Sequence, residues 1–388
     1  DIAPGKFRPY YLANRGKESS TYIRINGTSR PADARKLQEL ELEGQNISYD
    51  TLQEIGCEYD EEKALKLCRK MKQTAMDSCE TEEERLTVKE LTLEKLHDFG
   101  VLCRVGRNPY PTHAFNLLTD NTNKAAKIQC ALFKGTSRDI FIDRKEFRGP
   151  IYEQIDEAYH FVLRHIDMGA EIEGIYRRDM YELPISAIRE TIANAVLHRS
   201  YLDKSCIQLC IYDDRMEVSS PGMLYGGLDI ETAKRGKSTC RNEAIAEAFH
   251  YMHIVEAWGT GLPRIINRCR EYGLPAPLFE EFGDGFKAIL FRRERKLVNQ
   301  VKESDYKHDT QADTQHDTQV GIQHDTQDTS KDVLSRIAEL IRQDNKITTK
   351  DIAQELGVSV STVKRRIKSI PNISYIGSGF SGHWEIRD

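Results

Sequence analysis

The chain has no apolar run approaching the ~20 residues that a membrane-spanning helix requires. It also lacks a secretory signal pattern at its start. Its nine cysteines are scattered and none forms a CxxC pair, which argues against a disulfide framework or a zinc site. Reduced thiols and a cytoplasmic setting are the expectation. Positive charge is not in excess: 56 Lys and Arg face 61 Asp and Glu, for a net charge of -5. That excludes a uniformly basic nucleic-acid coat, though not one local basic face. A phosphate-binding P-loop is missing as well. RGKST (Arg235 to Thr239) imitates its end, but Glu231 stands where a glycine is needed and no strand feeds the turn. Without that loop a translocating helicase motor is excluded. The chain opens at Asp1 with no initiator methionine and is read as a fragment of a longer protein.

What is present suffices for real cores. The 388 residues are 39% hydrophobic and 30% charged, with a mean hydropathy of -0.58. That length suggests roughly two to three domains. Composition divides the chain at residues 1–50, 51–149, 150–296, 297–330 and 331–388. The first region holds a strand-like TYIRI (Thr21 to Ile25) and a helix ending at Gly44. The second is mixed, with helical stretches at Glu61 to Gln73 and Glu82 to Phe99, then strand-like segments Lys127 to Gly135 and Asp139 to Arg144. In the third, Ile151, Ile155, Ala158, Val162 and Ile166 keep helical spacing. CIQLCIY and RMEVS flank a DD turn and read as an antiparallel hairpin. Gly222 to Cys240 is glycine-rich and expected to be mobile. FKAILFRR closes the region as a strand. Residues 297–330 repeat DTQ and can bury almost nothing, as expected of a flexible linker.

The most informative stretch is EtiaNAvlHRSY, residues 190 to 201. At 100° per residue, Glu190, Asn194 and His198 fall in one polar stripe. Ile188, Ile192 and Ala195 form an apolar stripe nearly opposite. A carboxylate, an amide and an imidazole aligned on a core helix suggest a metal-assisted nucleotide site. Gly259 and Gly261 sit just before a second helix, with Pro263 suited to its first turn. A glycine loop opening a helix offers free N–H groups and a favourable dipole to phosphate. Arg241 and Asn242, after the glycine-rich segment, suit either a phosphate contact from a closing lid or surface capping. Trp258 reads as packing beside the loop.

The ExxxNAxxH motif resembles the first box of the GHKL nucleotide-binding fold, and EAWGTGLPRI resembles its later glycine box. The order EtiaNAvlHRSY, YDDRMEVSSPGMLYGG, STCRNEAIAEAF, EAWGTGLPRI, EFGDGF is similar to the RecG-related, ATP-binding C-terminal family of bacterial transcriptional regulators, over residues 130 to 293. PYYLANRGKESSTYIRINGTSRPAD (Pro9 to Asp33) resembles the end of a Schlafen AlbA-like domain, making 1–50 a remnant of one. The resemblance implies an α+β protein: a GHKL-like two-layer α/β sandwich preceded by a mixed α/β region and followed by a small winged helix. It implies that Asn194 lends an oxygen ligand to Mg²⁺ and that Glu190 stands at the catalytic base position. Asn194, His198, Gly222, Gly259 and Gly261 would hold ATP or another nucleotide. One departure stands out. Where the GHKL fold has an adenine-reading Asp, this chain has Ser219, Ser220, Pro221 and Gly222; Asp213 and Asp214 come too early.

Residues 331–388 carry ten Lys and Arg against seven acidic residues, a net +3. Thr348 with Asp351 makes a capping-box-like helix start. Gly357 allows a tight turn and Ser359 caps the next helix, whose Val363, Ile367 and Ile370 face inward. Its outer face presents Ser361, Thr362, Lys364, Arg365, Arg366 and Lys368. With Ser359, these suit a recognition helix: short polar groups for base edges, cations for phosphates. ISYIGSGFSGHWEI then reads as two strands of a wing. Double-stranded DNA is the expected partner and a homodimer is left open. The reading is a regulator that binds DNA and binds or senses a nucleotide. The alternatives are a weak Mg-dependent ATPase in nucleic-acid processing and an inactive interaction scaffold.

Overall fold

The structure is a computed structural model. It describes residues 8–293 apart from 26–27, 174–175 and 257–258, and in the C-terminal segment residues 336–337, 339–342, 344, 347–355, 367, 373–376 and 383–386. The chain divides into two units, residues 1–300 and 301–388.

The first unit begins with α1 (Lys17–Ser20), the hairpin β1 (Tyr22–Ile25) and β2 (Thr28–Pro31), and α2 (Ala34–Gln45). Asp33 caps α2 by accepting from the Lys36 N–H. Next come α3 (Glu61–Asp77), α4 (Glu82–Thr87), α5 (Leu93–Asp98), the hairpin β3 (Leu102–Val105) and β4 (Asn108–Pro111), and α6 (His113–Leu118). The helical stretch expected over Glu82 to Phe99 is thus two helices. Val88 turns extended after α4, and Thr92 caps a fresh start by accepting from the Lys95 N–H.

The remaining elements are β5 (Ile128–Phe133), β6 (Phe141–Phe147), α7 (Ile151–His165), β7 (Met168–Glu173), β8 (Tyr176–Tyr181), α8 (Ile185–His198), β9 (Ile207–Ile211), β10 (Arg215–Pro221), α9 (Ile230–Lys234), α10 (Glu243–Tyr251), α11 (Gly261–Glu271), β11 (Leu278–Phe282) and β12 (Gly285–Phe291). Six strands form one sheet in the order β11-β12-β10-β9-β5-β6. β5 pairs with β9 in parallel; the other neighbours are antiparallel. The boundary drawn by composition at residue 150 therefore cuts this sheet. β5 and β6 precede it in sequence, yet β5 hydrogen-bonds to β9 some 80 residues later in the chain.

Alternation decides which sheet face is buried. Ile207, Leu209 and Ile211 of β9 and Met216 and Val218 of β10 enter the main core with Ile128, Ala288 and Leu290. α7 and α8 pack on that face with Ile155, Phe161, Ile188 and Ile192, and Ile265 of α11, which packs on α8, and Ile245 and Phe249 of α10 join the same core. The layers are a helix layer on a sheet. Cys210 and Tyr212 point the other way and meet Phe133 in a small separate cluster.

The start of α10 is capped from far away in sequence. The Glu243 N–H donates to Ser48 Oγ at 3.1 Å and the Ile245 N–H to Asp50 Oδ2 at 2.8 Å. Both Ser48 and Asp50 are buried.

In the second unit α12 (Thr349–Glu355) starts as expected: the Asp351 N–H donates to Thr348 Oγ1 at 3.2 Å, and Thr348 Oγ1 donates to Asp351 Oδ2 at 2.7 Å. Ile337, Ile341, Ile352, Ala353 and Ile367 are buried. β13 (Ile373–Ile376) pairs antiparallel with β14 (His383–Ile386), giving the two wing strands. Ser359, Ser361, Thr362, Lys364, Arg365, Arg366 and Lys368 lie outside the described residues, as does the 297–330 linker.

Candidate functional site

α8 forms because Ile188 and Ile192, both fully buried, and Ala195 fix its core face. Thr191 tolerates the helix by donating its hydroxyl to the Ala187 carbonyl at 2.7 Å. That leaves Glu190, Asn194 and His198 on the face towards α11 and a cavity of about 280 Å³. The volume sits at the lower edge of the ~300–1,000 Å³ common for small-molecule pockets. The structure brings all six sequence-selected residues to this cavity: Glu190, Asn194, His198, Gly222, Gly259 and Gly261 line it.

Their geometry is specific. Asn194 Nδ2 donates to Glu190 Oε1 at 3.1 Å, so its Oδ1 is left to the cavity. The first residue of α11 lies against both groups. A Cβ on Gly261 would stand 2.5 Å from Glu190 Oε1 and 2.8 Å from Asn194 Nδ2. Gly259, at φ +66°, approaches the glycine-rich segment equally closely, and a Cβ there would stand 2.5 Å from the Gly236 carbonyl oxygen. The segment 222–240, expected to be mobile, is thus folded: Asp229 caps α9, and Gly236 and Ser238 pack on the glycine loop. A helix N-terminus, bare backbone and a presented amide oxygen together suit a phosphate with a hard cation.

Burial raises the Glu190 carboxyl above its usual range, opposed by Arg264, whose Nη1 lies 4.0 Å from Glu190 Oε2. Arg264 is also paired with Glu256. Burial, with the Arg241 charge nearby, pushes His198 down to about 4, so its imidazole is neutral at neutral pH. Among the described residues no group of three His, Cys, Asp or Glu could hold a metal. A Mg²⁺ here would take Asn194 Oδ1 and draw its other ligands from phosphate and water, the usual pattern for this ion.

Arg241 and Asn242 correct the sequence reading. They are neither exposed caps nor phosphate contacts; Arg241 is 5% exposed and Asn242 0%. Asn242 Nδ2 donates to the Leu197 carbonyl at 2.6 Å and the Arg199 carbonyl at 2.9 Å. Arg241 Nη1 donates to the His198 carbonyl at 2.8 Å. The last carbonyls of α8 have no partners within the helix, and these two side chains supply them. A cap provided by another element has no local sequence pattern, so it was not legible. Lys237 was missed for another reason. RGKST is no P-loop, since α9 and not a strand precedes it, yet Lys237, Ser238 and Thr239 line the cavity. Ser220 lines it too. Asp213 and Asp214 are committed elsewhere: Asp213 Oδ2 accepts from the Gly135 N–H at 3.0 Å, and Asp214 pairs with Arg215. Trp258 lies outside the described residues.

The family model described as "Putative ATP-dependent DNA helicase recG C-terminal" matches residues 204–290, and a helix-turn-helix domain model matches residues 333–375. No curated protein matches the chain. Among solved structures, the DIP2311 protein of Corynebacterium diphtheriae is similar in fold, with a TM-score of 0.50 and 19% identity over 95% of this chain and 70% of that one. The α+β architecture, with a two-layer domain and a terminal helix-turn-helix, agrees with these matches. Residues 204–290 are thus similar to the RecG C-terminal, ATPase-like family and residues 333–375 to helix-turn-helix domains.

Proposed function

We propose that the chain is a regulator that binds DNA through its C-terminal helix-turn-helix and senses a nucleotide in the cavity between α8, the 222–240 segment and the glycine loop. One observation carries this reading. Three separated sequence elements converge on one cavity, where Asn194 Oδ1 faces the start of α11. Asn194 would hold Mg²⁺ and the glycine loop the phosphates. The metal would supply charge neutralisation for the phosphates. Glu190 serves as the acceptor that orients Asn194, a positioning role that favours sensing over hydrolysis. Ser220 and neutral His198 stand where a base edge could be read, in place of the missing Asp.

Ser359, Ser361, Thr362, Lys364, Arg365, Arg366 and Lys368 are proposed to face DNA. A linker of ~32 residues would span roughly 30 Å r.m.s. if flexible. Such a tether favours avidity in a dimer over rigid transmission of orientation.

Calorimetry with ATP–Mg²⁺ on the full chain tests the nucleotide half. Binding without phosphate release, abolished by Asn194→Ala, supports the sensor. Phosphate release lost in Glu190→Gln would favour an ATPase instead. No heat at all would leave an interaction scaffold.

A further inference from the structure

Arg241 does more than cap α8. Its guanidinium, 5% exposed, joins three parts of the first unit. Nη1 donates to the His198 carbonyl at 2.8 Å, at the end of α8. Nη2 donates to the Met223 carbonyl at 2.7 Å, at the root of the 222–240 segment. Nε lies 3.0 Å from Glu39 Oε1 on α2. The guanidinium carbon also sits 5.1 Å from the centre of the Tyr225 ring. A side chain at Gly222, φ +101°, would overlap Nη1. The root of the segment is therefore shaped around this one cation, and α2 supplies its counter-charge.

α2 is attached differently from the core helices. Only Leu37 of this helix is buried. Leu40 and Leu42 are only half-buried, and its other ties are ion pairs: Arg35 to Asp203 and Asp284, Glu41 to Lys17, and Glu43 to Arg8. An element held mainly by charge can leave at lower cost than one held by apolar burial. We propose that α2 is a clamp: through Glu39 it fixes Arg241, and through Arg241 it holds the 222–240 segment over the cavity, so that displacement of α2 opens the cavity. The ligand affected rests on the nucleotide reading above; the clamp itself does not. By linkage, whatever draws α2 away must change nucleotide affinity by the same factor that nucleotide changes its own.

The test uses the full chain. Trypsin cleavage after Arg235 and Lys237, both exposed in the segment, is followed by mass spectrometry without nucleotide. Cleavage at the exposed Lys66, Arg69 and Lys70 of α3 is the internal control. Glu39→Gln, which keeps the shape and removes the charge, should speed segment cleavage by about tenfold or more, the change in opening expected when one partner of a buried ion pair is neutralised. The α3 sites should be unchanged. Arg35→Ala, at the exposed end of the helix, should give a smaller increase in the same direction. Equal acceleration at the segment and α3 would show a merely structural role and overturn the clamp, as would no acceleration in either variant. In parallel, ADP–Mg²⁺ should dissociate faster from Glu39→Gln than from the unaltered chain. If the unaltered chain binds no nucleotide, the nucleotide reading fails while the protease measurement still decides the clamp.

Discussion

Replacing Asn242 by Ala tests how the C-terminus of α8 is held. Asn242 is fully buried, and its amide donates two hydrogen bonds, to the Leu197 and Arg199 carbonyls at 2.6 and 2.9 Å. Alanine leaves both acceptors without that donor, and the close packing makes replacement by water costly. A buried polar group stripped of its partner costs ~1–3 kcal/mol. The Asn242 Oδ1 itself has no hydrogen-bond partner among the described residues, so removing it relieves part of that cost. A net loss of about 2–4 kcal/mol is expected for the two carbonyls together. Asn242→Asp should be at least as damaging, because a carboxylate would face two carbonyl oxygens with nothing to donate. Urea unfolding followed by far-UV circular dichroism on the full chain reads both variants. An Asn242→Ala loss under about 0.5 kcal/mol, within the range of ordinary surface changes, or an Asp variant as stable as the unaltered chain, would refute the capping argument.

Three further outcomes can be measured. His198 is neutral in the fold, with its pKa pushed down to about 4. Its contribution is therefore complete above the unfolded value near 6.5 and is lost as pH falls towards 4, by at most about 3 kcal/mol; His198→Phe should flatten stability measured across that window. Gly222→Ala places a methyl group on Arg241 at a positive φ and should cost ~1–3 kcal/mol by the same unfolding measurement; an unchanged midpoint would contradict the packing described. Changing Lys364, Arg365 and Arg366 together to Ala should reduce the salt slope of DNA affinity by about 3, roughly one for each cation withdrawn from a phosphate. Unaltered affinity and slope would remove the DNA-facing assignment.

Local periodicity made much of the central domain readable. The 3.6-residue spacing of Ile188 and Ile192 located α8 and its polar face, and alternation in Ile207–Ile211 and Arg215–Pro221 located the hairpin. Glycines before Pro263 located the start of α11. Long-range pairing was not readable. The parallel register of β5 on β9 has no local signature, so composition placed a boundary through the sheet. Arg241 read as a phosphate contact or a surface cap because its partners, from α2, α8 and the start of the 222–240 segment, leave no local pattern. Lys237 was discarded with the P-loop it imitates, although it reaches the same cavity by another route.

The distant cap on α10 bears on modularity. Ser48 and Asp50 hold the first N–H groups of a helix that begins at Glu243, so residues almost two hundred positions apart fold as one piece. The segment matched by the RecG C-terminal family, 204–290, contains the glycine loop but neither Asn194 nor that cap. Excised alone, it would lose the amide that faces the cavity and expose the N-terminus of α10. The piece that packs together is thus larger than the segment that sequence comparison detects, and it takes in Ser48 and Asp50.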